Sequence, residues 1–364
     1  MGKVRVVVAD DSALMRRELR RLIESEGDIE VVGSARNGEE AVRMAAELEP
    51  DVVTLDINMP VMDGLTALQH IMMASPRPVI MVSSLTQEGA ITSYEAMELG
   101  AVDFIGKPGG TVSSDLDSST QELLYKLRSA SCANLSVAGA ARRRKKQQAK
   151  AIVRASSTGA QAPQVQGFGI ADKLVLIGQS TGGPNTIMEV LPSIPAGFGA
   201  PIVIVQHMPG SFTGSFAQRL GKNCAIPFKE VKSGDELLPG HGYLAPGDVH
   251  TILVRDPKEP KRVFLRTSKL PSDTLHKPSV DVTFESALEC FNARSLVGVI
   301  LTGMGSDGAR AMARIKQAGG RTIAESEETA VVFGMPKEAI RLGGAEFILP
   351  AHEVGKKICE LAEK

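Results

Sequence analysis

The chain has 364 residues, 43% hydrophobic and 23% charged, with a formal net charge of -1. That length predicts about two domains, each with its own core. The near-neutral balance gives no reason to expect a nucleic-acid partner, and no apolar run approaches the roughly 20 residues that span a bilayer, so stable membrane insertion is not expected.

The opening stretch, MGKVRVVVAD, reads as a first strand and not as a signal peptide. Apolar runs then alternate with helical patterns. VRVVVAD, IEVVGSA, DVVTLDI, RPVIMVS and AVDFIGKP are strand-like, and SALMRRELRRLIESEG and QEGAITSYEAMELG carry apolar residues at three-four spacing. Five strand-helix units predict a flavodoxin-like, doubly wound parallel sheet over residues 1–125, closed by a helix near DSSTQELLYKLRSA. Residues 126–170 contain no Asp or Glu and hold the run ARRRKKQQAK. They read as a basic flexible linker, with contact to DNA or an acidic membrane surface the weaker alternative, because the basic run has no interleaved aromatics and no DNA-reading motif. Residues 171–364 begin again with KLVLIG, followed by APIVIVQ, IPFKEV, HTILVR, KRVFLR, LVGVIL, RTIAES and EFILP. A second doubly wound α/β domain is expected, with an antiparallel hairpin at HTILVRDPKEPKRVFLRT. Cys132, Cys224, Cys290 and Cys359 are far apart and form no C-x-x-C, so neither zinc nor disulfides are expected. The expectation is a cytoplasmic monomer.

In the first half, Asp10 and Asp11 end strand one, Asp56 ends strand three, Ser83 strand four and Lys107 strand five. Strand ends in a parallel sheet share one edge, where ligands bind. Converging carboxylates need a cation, and Mg²⁺ suits carboxylates, water and phosphate oxygen. A carboxylate beside Mg²⁺ and a lysine can attack a phosphoryl donor. Asp-Asp, Asp, Ser and Lys-Pro in this order resemble the receiver domain of bacterial response regulators, over residues 1 to about 125. The resemblance implies Asp56 as phosphoacceptor, and Mg²⁺ held by Asp10, Asp11 and Asp56 with the backbone carbonyl of Asn58. It also implies Ser83 as switch hydroxyl, Phe104 as switch aromatic and Lys107 as phosphate partner.

In the second half, Gly178-Gln179-Ser180-Thr181-Gly182 follows a strand and opens a helix, satisfying G-x-S-x-G. The helix start offers N–H groups to a developing oxyanion or a phosphate, but no G-K-[ST] follows, which disfavours a nucleotide loop. A serine nucleophile needs a base. Among six histidines, His207 ends the strand APIVIVQ, as Ser180 ends KLVLIG. The loop LTGMGSDG puts Asp307 past another strand on the same edge. Ser180, His207 and Asp307 then form a Ser-His-Asp constellation, in a chain order unlike that of the common α/β-hydrolases. LTGMGSDG also fits G-x-G-x-x-G, with Glu325 ending the next strand. A dinucleotide site there would leave Ser180 and His207 without a role.

IGQSTGGP, VIVQHMP, YLAPGDVH, HKPSVDV and LTGMGSDGA together resemble the catalytic domain of the chemotaxis protein-glutamate methylesterase. With the receiver-like half in front, the resemblance covers nearly the full chain. It implies Ser180 as nucleophile, His207 as general base and acid, and Asp307 as orienting carboxylate. The Met304 backbone N–H is the implied oxyanion donor, with Thr181 in support. Gln179 stands where small residues are usual in the family, and is a candidate to alter access beside Ser180. The implied substrate is a methylated glutamate on a chemoreceptor cytoplasmic helix, the implied phosphodonor a chemotaxis histidine kinase, and the catalytic domain needs no cofactor. Glutamine deamidation would use the same groups. The receiver would cover the catalytic edge until phosphorylated. A DNA-binding response regulator and an esterase of other substrates are the alternatives.

Overall fold

A computed structural model describes residues 2–83, 87–107, 113–137, 139 and 173–363. Two compact units divide the chain, residues 1–142 and 143–364. The first contains β1 (Val4–Ala9), β2 (Ile29–Ala35), β3 (Val52–Asp56), β4 (Val79–Ser83) and β5 (Asp103–Gly106), in parallel order β2-β1-β3-β4-β5. Between and after them run α1 (Ala13–Ile23), α2 (Gly38–Leu48), α3 (Gly64–Ala74), α4 (Gln87–Leu99) and α5 (Ser113–Ser131). Every residue of β3 and β4 is buried, as strands covered on both faces require. Ser12, Asn37 and Asp63 cap α1, α2 and α3 by accepting backbone N–H groups.

The expected boundary at residue 125 falls inside α5. Leu123, Leu124, Leu127 and Ala130 are buried, so α5 is the closing helix expected near DSSTQELLYKLRSA, and its core packing runs past residue 125. Lys126, where the linker was expected to begin, is buried with its ammonium 3.0 Å from Asp103. The linker's ARRRKKQQAK run lies outside the described residues.

The second unit is built on a parallel sheet of β6 (Leu174–Gln179), β7 (Ile202–Gln206), β8 (Phe228–Glu230), β10 (Gly242–Leu244), β13 (Leu296–Ile300), β14 (Arg321–Glu325) and β15 (Phe347–Leu349). Its order is β15-β14-β13-β6-β7-β10-β8. The helices are α6 (Gly183–Val190), α7 (Gly210–Asn223), α8 (Val280–Cys290), α9 (Ala309–Gln317), α10 (Met335–Arg341) and α11 (Ala351–Ala362). The expected hairpin pairs β11 (His250–Arg255) with β12 (Val263–Ser268), joined by β9 (Asp235–Glu236) in a small antiparallel sheet. GYL, read as loop in the sequence, is β10. Three residues are too few to show a period, and only pairing to β7 and β8 makes them a strand.

Two glycines set the approach of α8 to the sheet. A Cβ on Gly178 or on Gly308 would lie 2.4 Å or 2.5 Å from Val280 Cγ1. Val280, the first residue of α8, therefore packs directly over the ends of β6 and the loop before α9. Among the described residues no helix is long and apolar enough to cross a membrane, and the four cysteines are free.

Candidate active site

In the first unit, carboxylate oxygens of Asp10, Asp11 and Asp56 lie within 4.8 Å of one another. Asp10 and Asp56 are buried, whereas Asp11 is exposed at the rim. Lys107 reaches both buried partners, with Nζ 3.0 Å from Asp10 Oδ2 and 2.8 Å from Asp56 Oδ2. Burial raises the Asp56 carboxyl above its ordinary value, and the Lys107 ammonium offsets part of that rise. Two buried anions sharing one ammonium remain short of positive charge, and an all-oxygen donor set fits a hard dication such as Mg²⁺. Asn58 follows β3 and is exposed on the same edge. The Ser83 hydroxyl donates to Gly89 O at 3.1 Å, in the first turns of α4. Phe104 is buried edge-on against Tyr94, with ring centroids 5.6 Å apart.

In the second unit, Ser180 and His207 each follow the last residue of neighbouring parallel strands, and those last residues, Gln179 and Gln206, are register partners. The two side chains thus start from adjacent strand ends. Asp307 arrives from the loop after β13, and His207 Nε2 lies 2.9 Å from its Oδ2. A carboxylate only accepts, so Nε2 carries a proton, and in the neutral imidazole Nδ1 then keeps its lone pair. His207 Nδ1 is buried with no protein partner among the described residues. It is the nitrogen left to serve as base, and the Ser180 hydroxyl is not bonded to it in this structure. Apo sites of this kind often tighten only with substrate.

Asp307 is held from its other side by the start of α8. Ser279 Oγ donates to Oδ1 at 2.9 Å, Asp281 N–H to Oδ1 at 2.9 Å and Val280 N–H to Oδ2 at 2.7 Å. Burial pushes the Asp307 carboxyl up, but His207 and these N–H groups outweigh it and hold it well below the usual carboxylate range. Ser279 is also the N-cap of α8, accepting from Val282 N–H. One serine therefore ends the helix and fixes the carboxylate.

The loop of Asp307 is tied to the nucleophile. Ser180 N–H donates to Thr302 O at 2.9 Å, and Thr302 Oγ1 donates to Thr181 O at 2.9 Å. A Cβ on Gly303 would lie 2.8 Å from Ser180 Cβ, which sets Met304, next in sequence, beside the serine. Thr181 is fully buried, and its backbone carbonyl is the acceptor in the bond from Thr302 Oγ1. Glu325 is fully buried and accepts Thr302 N–H at 2.7 Å. It braces this loop and has no open face for a ribose, which removes the dinucleotide reading. Gln179 is likewise fully buried beneath Ser180, so it does not gate access.

Sequence reasoning missed three contributors. His276 stacks on His207 with centroids 4.0 Å apart. Ser279 grips Asp307. His250 accepts Ser279 N–H at Nδ1 and lies 3.0 Å from Pro271 O at Nε2, and burial lowers its pKa. HKPSVDV was noted as a motif, but nothing in its spacing says that it meets a loop some thirty residues on.

Comparison with known proteins agrees with both halves. Residues 6–113 match the response regulator receiver domain, and residues 175–358 match the CheB methylesterase family. A protein-glutamate methylesterase/protein-glutamine glutaminase of Caldanaerobacter subterraneus subsp. tengcongensis is 47% identical over 364 residues, covering 99% of this chain and 98% of that protein. The protein of the same description from Thermotoga maritima is 44% identical, with 98% of each chain covered. The crystal structure of the Thermotoga maritima CheB methylesterase catalytic domain superposes with a TM-score of 0.50 at 43% identity, over 52% of this chain and 98% of that one. Fold and matches define a response regulator whose output domain is a hydrolase. The chain belongs to the CheB methylesterase family.

Proposed function

We propose that this chain hydrolyses glutamate γ-methyl esters on chemoreceptor helices and that phosphorylation of Asp56 switches the activity on. The observation that carries the reading is Asp307, bonded to His207 and to the start of α8, with Ser180 on the neighbouring strand end. His207 Nδ1 takes the Ser180 hydroxyl proton as Oγ bonds to the ester carbonyl carbon. Negative charge moves to the carbonyl oxygen, where the Met304 N–H donates, with Thr181 in support. Collapse breaks the bond to the methoxy oxygen, which leaves as methanol with the proton from His207. Water then attacks the acyl carbon, His207 again takes and returns a proton, and glutamate and free Ser180 result. Glutamine side chains follow the same route with ammonia leaving.

In the receiver, an Asp56 oxygen bonds to phosphorus as the N–P bond of a phosphohistidine in the kinase breaks. Asp10, Asp11, Asp56 and the Asn58 carbonyl would hold Mg²⁺, which when bound neutralises charge on the phosphoryl oxygens. Lys107 then pairs with the phosphoryl group, and Ser83 and Phe104 respond to the added charge of about -1.5 to -2. The matching domain division is a receiver through α5, the basic segment as tether, and the hydrolase from about residue 173. The enzyme works as a cytoplasmic monomer.

The test is methanol release from methylated chemoreceptor membranes. Ser180→Ala and Asp307→Asn should each lower kcat by roughly a thousandfold or more. Wild-type rates from Ser180→Ala would refute the reading.

A further inference from the structure

Two glutamines lie side by side under the nucleophile. Gln179 ends β6 and Gln206 ends β7, as register partners, and they are 0% and 1% exposed. Gln206 Nε2 donates to two backbone carbonyls, Ser180 O at 3.1 Å and His207 O at 3.0 Å. Those carbonyls belong to residues on different strands, each just past the end of the sheet. The neighbouring backbone link, His207 N–H to Gln179 O, is 3.2 Å long. One side-chain amide therefore joins the two segments where sheet pairing stops.

The other end of the amide is confined too. A Cβ on Gly183, the first residue of α6, would lie 2.4 Å from Gln206 Oε1 and 3.0 Å from Gln179 Cδ. The lack of a side chain at 183 leaves the room that both carboxamides fill. An apolar residue at 206 would fill the same space and leave both carbonyls without this donor.

We propose that Gln206 is a positioning residue for the hydrolysis: its amide clamps the Ser180 and His207 backbones together and so sets the reach from Ser180 Oγ to His207 Nδ1. This rests on the Ser-His-Asp reading above. A misplacement of about 1 Å between reacting groups costs about a hundredfold in rate.

The test uses the full-length chain, a small-molecule phosphodonor with Mg²⁺, and methylated receptor membranes. Gln206→Met removes both donors, Gln206→Glu replaces the amide with a carboxyl of nearly the same shape, and Gly183→Ala pushes the carboxamide while Gln206 stays. Each should lower kcat about tenfold to a hundredfold with KM within about twofold. A fluorophosphonate should label Ser180 more slowly by the same factor. Rates are taken where circular dichroism shows the variant folded, and if Gln206→Met does not fold, the other two variants decide. Folded Gln206 variants with kcat within about twofold of wild type, or with the loss confined to KM, would overturn the clamp. Ser180→Ala runs in parallel. An active Ser180→Ala defeats the triad reading and the clamp with it, whereas an inactive one beside unaffected Gln206 variants defeats the clamp alone.

Discussion

Asp307 accepts from His207, Ser279, Val280 and Asp281 at 2.7–2.9 Å, and three of those four donors come from the first turn of one helix. Its folded pKa is depressed despite burial. The stability it contributes is therefore present above the unfolded carboxylate value, about 3.9, and lost as pH falls through the lower folded value. Urea unfolding of wild type and Asp307→Asn should show a constant gap between pH 5 and 7 that narrows progressively below about pH 4. A gap that persists unchanged at pH 3 would contradict the assignment. Asp56 has the opposite sign, because burial raises its folded pKa. It stabilises below the unfolded value and costs stability as pH rises through the folded one. Asp56→Asn should raise Tm by roughly a few degrees at pH 7 without Mg²⁺, and the gain should fade as the solution is acidified. Mg²⁺ should raise the Tm of wild type more than that of the variant, since the ion binds only the folded cluster. Differential scanning calorimetry reads both effects.

At the scale of elements, α5 shows how a side chain can decide where a domain ends. Lys126 donates to Asp103 Oδ1 at 3.0 Å and to Phe104 O at 2.7 Å. Burial lowers its pKa, but Asp103 and Glu122 outweigh that and keep it charged. Removing one partner of a buried pair strands the other, at about 3–5 kcal/mol. Lys126→Met should lower the stability of the first domain by about that much in urea titrations. A fragment ending at 125 lacks Lys126, Leu127 and Ala130 and should be unfolded by circular dichroism, whereas one ending at 137 should fold. Composition pointed to a linker at 126 because the acidic residues stop there, yet the burial of α5 continues past that point. The long strands were legible because their apolar runs are continuous. β9 and β10, of two and three residues, were not, since pairing and not pattern defines them.

Across the molecule, both sets of reactive side chains sit at the carboxyl ends of parallel strands, where open α/β sheets bind ligands. That regularity makes Asp10, Asp56, Lys107, Ser180 and His207 legible in the sequence: each is a polar residue within two positions of the end of an apolar run. Asp307 was legible through its glycine-rich loop. The supporting layer was not. Ser279, His250, Glu325 and Gln206 act through contacts made by the fold, and a buried Gln or Glu at a strand end carries no mark of what it will hold. Under the proposed function, a phosphoryl group on Asp56 governs chemistry at Ser180. The most direct test is the initial rate of methanol release from methylated receptor membranes, with and without phosphodonor and Mg²⁺, for wild type and Asp56→Asn. Wild type should speed up about tenfold or more while Asp56→Asn stays at the basal rate. An equal response from both proteins, or none from wild type, would contradict it.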